Sequence, residues 1–400
     1  MWTQIVKQNI ASLFKKSRIV LTVLFSLEFS RVPSKVDWVI YGGKSDPLNE
    51  ILDASGKSYF FLNIGFERIN ARLLIKSILA RDRGIPLFDS YVMFSIRKLS
   101  PQGLITLYDN DRRFWRISGL FDEIVIVVVQ NARRFYAFDV FGIPDLMLQN
   151  RGRFDHLLCH TAAISDLYLQ HNDVENIQIV GSYKSNELPV VRKNEERKSV
   201  LWISSIEKYK GNEFFTSLRP EYEAIAYSDY NRSDELALGQ VVNFCIQHDL
   251  PLKIAGRSTR DDNEEEILWF RTRTSSYEFD FISRDSWDTS YKEIDNSFLI
   301  ATVDGTLGYE ALTRKSRVAF FSHREIITQC PSNRFGWPKD FPLNGPFWTS
   351  DPTHKAFESV LANVFLMSDA EWELIVEKYS EHLMGSNPGN SVLRTILQDV

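Results

Sequence analysis

Cysteine is scarce in this sequence: Cys159, Cys245 and Cys330 are all that 400 residues contain. So few and so far apart, they exclude a disulfide framework or a cysteine-based metal site and point to a reducing, cytoplasmic setting. Long apolar runs are lacking too. No stretch approaches the roughly 20 apolar residues that a membrane-spanning helix needs. The segment Ile19–Leu27 is apolar and follows Lys15 and Lys16, but Glu28 and Arg31 close it and no small-residue cleavage site follows. It reads as a buried strand or helix rather than a signal peptide. An excess of positive charge is also missing. Lys and Arg number 47 against 52 Asp and Glu, and the net charge of -5 argues against a general nucleic-acid binder. There is no Walker A loop and no G-x-G-x-x-G fingerprint. No His pair at ligand spacing and no Asp-x-Asp after a second-half strand occur, so neither a metal nor a cofactor is expected. Asp109 and Asp111 form such a carboxylate pair only in the first half.

What is present is the composition of a chain that buries a core, 44% hydrophobic and 25% charged. The aromatic share of 13% reads as a Phe-rich core, with docking at the inner face of the cytoplasmic membrane as the functional alternative. The length fits two domains. Short apolar runs alternate with amphipathic stretches throughout, which is the pattern of βαβ units and parallel sheets. The first-half strands are expected at Val36–Tyr41, Tyr59–Ile64, Leu104–Tyr108, Ile124–Val129, His156–Cys159 and Ile177–Val180, with helices at Glu67–Ala80 and Ala162–Leu169. A polar stretch from Gly181 to Lys198 reads as a linker. The second half restarts with strands at Val200–Ile203, Ala224–Tyr227, Leu252–Ala255, Phe279–Ile282, Leu299–Val303 and Val318–Ser322. Its helices are expected at Ser233–His248, Glu264–Arg273, Gly305–Arg314, His354–Leu366 and Ala370–Leu383, the last packing back across a domain. The expected architecture is α/β, two Rossmann-like doubly wound domains, 1–185 and 198–400.

Ligands of open parallel sheets bind beyond the carboxyl ends of the strands. Those ends are consistently polar here: Asp109, Gln130 and Asn131 with Arg133 and Arg134, His160, Asp229 to Asp234, Arg257, Asp304 to Thr306, and Ser322 with His323 and Arg324. Each alone is ordinary turn chemistry. Together they suggest a cleft between the two domains, with Asp109, Gln130 and Asn131 on its substrate side. The run Ala301–Leu312 (ATVDGTLGYEAL) gives a mechanism. A helix that starts straight after a buried strand presents free N–H groups and a positive dipole end, where Gly305, Thr306 and Leu307 could hold a phosphate. Gly308 lets that helix lie close to the sheet or a ligand, and Glu310 could accept from ribose hydroxyls. A plain N-cap at Asp304 or Thr306 is the simpler reading. Arg257 could balance a phosphate or a sugar carboxylate, or pair with Asp261 or Asp262. His160 fits a general base or a hydrogen-bonded structural histidine.

The run Ala301–Leu312, followed by Val318–Ser322 (VAFFS), Phe335–Pro338 (FGWP) and Gly345–Trp348 (GPFW), resembles bacterial O-antigen and surface-carbohydrate biosynthesis proteins. It is also similar to the donor half of capsule β-Kdo transferases. Leu104–Asp111 (LITLYDND) and Ile126–Arg133 (IVVVQNAR) look like paired motifs of the same O-antigen group. The resemblance spans roughly residues 36 to 370 and implies a GT-B fold whose two domains face a central cleft. It implies a metal-independent, cytoplasmic enzyme that transfers Kdo from CMP-β-Kdo to a lipopolysaccharide O-antigen or other surface glycan, with retention of configuration. A UDP- or GDP-sugar donor, or a non-catalytic glycan- or nucleotide-binding subunit, is the alternative. The donor would lie on Gly305, Thr306, Leu307, Gly308 and Glu310, with Arg257, Ser322 and His323 nearby. Retention by double displacement needs a carboxylate nucleophile. Asp229 leads by position. Asn231 stands where a family carboxylate would leave this chain a departure from the pattern, and both residues also fit the N-cap region of the following helix. The charged end at Val400 carries no stop signal, which leaves room for further glycosyltransferase modules of the same chain.

Overall fold

The computed structural model describes residues 27–28, 32–43, 45–63, 69–79, 85–134, 141, 151–192, 198–206, 214–215, 225–275 and 277–400. The apolar segment Ile19–Leu27 falls outside them apart from its last residue, as do Ile64, Glu67, Ala80 and Ala224 at the edges of expected elements.

Two six-stranded sheets organise the chain. The first uses β1 (Trp38–Gly42), β2 (Tyr59–Asn63), β3 (Gly103–Thr106), β4 (Val125–Val129), β5 (Gly152–Cys159) and β6 (Asn172–Ile179), in the order β2-β1-β3-β4-β5-β6. β1 runs parallel to β2 and β3, and β3 to β4. The second uses β7 (Val200–Ile203), β8 (Leu252–Ala255), β9 (Phe279–Ile282), β10 (Leu299–Thr302), β11 (Val318–Phe321) and β12 (Trp348–Thr349), in the order β9-β8-β7-β10-β11-β12 with every pairing parallel. Strands covered on both faces need apolar side chains at every position. β7, β10 and β11 are buried along their whole length.

The strand expected at Ala224–Tyr227 is present only as Ile225–Ala226, and it does not join the parallel sheet. Ile225–Ala226 pairs antiparallel with Phe214–Phe215 in a separate two-stranded ribbon. The helix after it runs from Tyr227 to His248, so Asp229–Asp234 is its first two turns and not a loop. Its inward face explains this. Tyr230, Asp234, Ala237, Leu238, Val241 and Cys245 recur at helical spacing, and all are buried. The edge strand β12 and the last helix, Ser391–Asp399, are additional to the expected elements. The helix Asp369–Leu383 starts on a capping box between Ser368 and Glu371. It packs within the second unit, where Trp372 donates to the Lys315 carbonyl at 3.2 Å.

The aromatic residues of the second unit form a core cluster. The rings of Phe335 and Trp348 stack at 4.6 Å, and Phe320 lies 5.2 Å from Phe335. Each such pair contributes about 0.5–1.5 kcal/mol beyond its buried area. Against this cluster sits the helix Thr306–Thr313. A Cβ at Gly308 would come within 2.6 Å of Thr302 Cγ2 and 2.9 Å of Phe320 Cε1. Gly308 thus serves close packing of helix on sheet.

By compactness the chain divides into Met1–Val129 with Asn150–His156 and Arg394–Val400, and Gln130–Gln149 with Leu157–Leu393. This differs from the expected 1–185 and 198–400. The physical reason lies within the second unit. Arg314, buried at the end of the helix Thr306–Thr313, donates to the carbonyls of Ser185 (3.2 Å), Leu188 (3.1 Å) and Pro189 (3.3 Å). Its guanidinium also pairs with buried Asp295, which accepts from the Val191 amide at 3.1 Å. The supposed linker is thereby fixed to the second sheet's surroundings, and Tyr183–Glu187 within it is a short helix.

Candidate functional site

In the second unit, the chain leaves β7 and goes to β8 on one side, then returns to β10 on the other. Strand order reverses there, and a crevice opens at the carboxyl ends of such a pair. A cavity of about 420 Å³ occupies that position. It is lined by residues that directly follow five parallel strands: Ser204 and Ser205 after β7, Arg257 after β8, Arg284 after β9, Asp304 to Leu307 after β10, and Arg324 after β11. Asn131, Arg133, Lys184, Tyr291 and Glu310 complete much of the wall.

The wall carries five cations, Arg133, Lys184, Arg257, Arg284 and Arg324, against two carboxylates, Asp304 and Glu310. Arg133 pairs with Asp304, and its guanidinium sits 5.0 Å from the Tyr309 ring. Arg324 pairs with fully buried Asp234 at 2.8 Å. The excess of cations over carboxylates in the wall biases the cavity toward anions, with the positive end of a helix in its floor. Gly305 is the N-cap of Thr306–Thr313 and provides no side-chain cap. The Thr306 hydroxyl is turned the other way, accepting from the Arg133 amide at 3.1 Å.

Glu266, buried, shapes one side. It accepts from the Ser204 hydroxyl (2.7 Å), the Arg257 amide (3.1 Å) and the Ser258 amide (3.0 Å), so one carboxylate fixes the turns after β7 and β8. On the other side Glu310 accepts from the Ser182 hydroxyl. Burial raises its pKa, opposed by that hydrogen bond and by the charge of Lys184. Burial in turn lowers the pKa of Lys184, opposed by Glu310. Asp304 is also held above the usual carboxylate range by burial, against the pull of Arg133.

Of the candidate site residues expected from sequence, Asn131, Arg257, Gly305, Thr306, Leu307 and Glu310 meet in this cavity. The others do not line it. Gly308 packs on the sheet, as above. Ser322 and His323 are buried, and His323 Nδ1 lies 2.9 Å from the Phe321 carbonyl. The cavity takes Arg324 in their place, because the turn directs His323 into the protein before the next helix begins. Asp229 is exposed, and Asn231 is buried on the helix Tyr227–His248. Gln130 is engaged at both ends of its amide, donating to the Ala132 carbonyl at 2.9 Å and accepting from the His160 amide at 2.8 Å. Asp109 is buried in the first unit, its carbonyl accepting from Trp115 Nε1 at 2.7 Å. Arg324 was one of the polar residues read at a strand end, while Lys184 and Arg284 were not anticipated. The rule of reading every strand end would have reached Arg284.

His160 lines a separate pocket of about 20 Å³ with Arg133 and Tyr309. Burial, and then the charge of Arg134, lower its pKa to about 3, so it stays neutral in the fold. Unfolded, it titrates near 6.5. The unfolded chain therefore binds the extra proton between pH 6.5 and about 3, and stability falls as pH falls through that window. His160→Gln is expected to flatten this slope by up to about 1.4 kcal/mol per pH unit, read from urea midpoints between pH 7 and 4. Parallel slopes in the two proteins would contradict it.

Among the described residues no group of His, Cys, Asp and Glu could hold a metal, and no helix is long and apolar enough to cross a membrane. The family model described as "putative O-antigen biosynthesis protein" matches residues 127–400. No curated protein matches in sequence. Among solved structures, the wall teichoic acid polymerase TagF is 10% identical, with 98% of each chain covered and a TM-score of 0.53. The UDP-GlcNAc 2-epimerase of Methanocaldococcus jannaschii, in complex with UDP-GlcNAc and UDP, is 11% identical with a TM-score of 0.51, covering 91% of this chain and 99% of that one. A UDP-N-acetylglucosamine 2-epimerase assigned in Listeria monocytogenes is 10% identical at 0.54, covering 90% and 96%. These likenesses establish the fold, two Rossmann-like α/β domains of the GT-B kind.

Proposed function

The chain belongs to this O-antigen biosynthesis family, and from that premise we propose that it is a glycosyltransferase that binds a nucleotide-activated sugar in the 420 Å³ cavity of its second unit. One observation carries the reading. Lys184, Arg257 and Arg284 gather around an uncapped helix N-terminus at a topological switch point. That is the chemistry of a site for phosphate or carboxylate groups joined to a larger polar ligand. In this arrangement Gly305, Thr306 and Leu307 receive a phosphate, the three cations balance its charge, and Glu310 accepts from ribose hydroxyls. A solved protein of the same fold, the Methanocaldococcus jannaschii epimerase, is in complex with UDP-GlcNAc and UDP, which supports a nucleotide ligand here.

The donor proposed is CMP-β-Kdo, on the resemblance of Ala301–Leu312 and the motifs after it to β-Kdo transferases. Its phosphodiester and sugar carboxylate are two anions, which suits the cationic excess. The acceptor proposed is an O-antigen or related surface glycan. Thermal shift with CMP, UDP and GDP tests the donor: CMP is expected to raise the melting temperature most. Stabilisation by UDP or GDP alone would move the donor to those sugars, and no effect from any would contradict the site. Retention through a covalent adduct is read by intact mass after incubation with CMP-Kdo. Asp229→Ala is expected to leave that adduct in place, because Asp229 is exposed and off the cavity wall.

A further inference from the structure

In the first unit, the helix Ala71–Leu79 presents apolar side chains to solvent. Leu73 and Ser77, four residues apart, face inward and are buried. The outward face of a surface helix ordinarily carries polar residues. Here it carries Ile75, Ile78 and Leu79, which are 55%, 49% and 82% exposed. Their spacing of three and four residues makes them one patch. Exposed Arg72 and Lys76 flank it, Arg72 three residues before Ile75 and Lys76 three before Leu79. The helix packs against the helix Leu87–Leu99, whose first residue, Leu87, is exposed as well. The two helices carry four basic residues, Arg72, Lys76, Arg97 and Lys98, all exposed, and one carboxylate, Asp89. Asp89 is buried and paired with Arg116, so the charge these helices show to solvent is wholly positive.

Aliphatic side chains held in water contribute nothing to the core, and a cluster of them marks a contact surface. Two features select what covers it. The patch is purely aliphatic, with none of the aromatic rings that protein interfaces concentrate at their centres. Its flanks are cationic, with no exposed carboxylate on either helix to repel an anionic surface. Both fit the boundary layer of a bilayer with anionic headgroups. Ile75, Ile78 and Leu79 enter the edge of the acyl region. Arg72 and Lys76 lay their apolar stems alongside and keep their charges among the phosphates. A helix of 9 residues is roughly 14 Å long, so it lies in the surface and does not cross.

We propose that the outward face of the helix Ala71–Leu79 docks the protein on an anionic phospholipid surface. The nucleotide cavity of the second unit takes no part in this contact, so vesicle binding and nucleotide binding stand or fall separately.

The test is sedimentation of the full chain with vesicles of phosphatidylcholine, alone or mixed with phosphatidylglycerol. The protein is expected to pellet with the mixed vesicles, to bind the neutral ones at least about tenfold more weakly, and to be released by salt. Ile75→Ser with Leu79→Ser, and separately Arg72→Glu with Lys76→Glu, are each expected to weaken binding to mixed vesicles by about tenfold or more. All four positions are exposed, so both variants should melt with the wild type. A second measurement needs no variant and decides alone if either fails to fold. Mixed vesicles are expected to slow amide hydrogen exchange of the unaltered protein in residues 71–79. No binding to mixed vesicles, unchanged binding by either folded double variant, or slowed exchange only outside this helix overturns the proposal. Self-association that Ile75→Ser with Leu79→Ser abolishes, without vesicle binding, makes the occupant a second copy of the chain and overturns it too.

Discussion

Arg314→Ala is expected to lower the unfolding free energy by about 3–5 kcal/mol, the cost of removing one partner from a buried ion pair. Arg314 and Asp295 are 3% and 4% exposed at their side chains, so water cannot replace the lost charge. Three carbonyls, those of Ser185, Leu188 and Pro189, lose a donor at the same time. Equilibrium urea unfolding measures the effect. Arg314→Met with Asp295→Leu should recover part of it, since removing both charges avoids a buried orphan. A loss below about 1 kcal/mol for Arg314→Ala would mean that the segment Ser185–Val191 is not held as described. The same substitution should also weaken ligand binding, because that segment presents Lys184 to the cavity.

Lys184→Ala combined with Arg284→Ala is expected to weaken binding of the preferred nucleotide sugar by about 10- to 1000-fold. Charge-assisted hydrogen bonds contribute roughly 1.5–3 kcal/mol each, and Arg284 is exposed, which places its share at the lower end. Stability should fall modestly, since both charges offset the burial of the Glu310 carboxylate. Calorimetric titration at two salt concentrations checks both points. The wild type should lose affinity with salt, and the double variant should lose less. Unchanged affinity in the double variant would remove the cations from the site.

The strands were legible because a parallel sheet buried on both faces demands short, continuous apolar runs. Val200–Ile203, Leu252–Ala255 and Phe279–Ile282 agree with expectation to the residue. The polar ends of the strands were legible for the same reason, and the second unit does bring Arg257, Asp304 to Leu307 and Glu310 together. The misreadings have a common cause, polar residues used inside the fold. Asp229 to Asp234 carries the composition of a turn. Its helical period is visible only once Tyr230 and Asp234 are counted with the apolar positions, and nothing local predicts that Arg324 will neutralise Asp234. The stretch from Gly181 has a linker's composition for a similar reason. Its carbonyls are satisfied by Arg314, more than 120 residues away in the chain, so a side chain that fixes it in place leaves no mark on its own sequence. Lys184 was lost to the reading with it.

The central claim is that the cavity at the β7–β10 switch point holds a nucleotide-activated sugar. A crystal structure of the protein soaked with CMP, or with whichever nucleotide stabilises it, tests that most directly. A phosphate within hydrogen-bond distance of the Thr306 or Leu307 amide, with Lys184, Arg257 or Arg284 against it, is the predicted result. A nucleotide seated elsewhere while this cavity holds only solvent would contradict it.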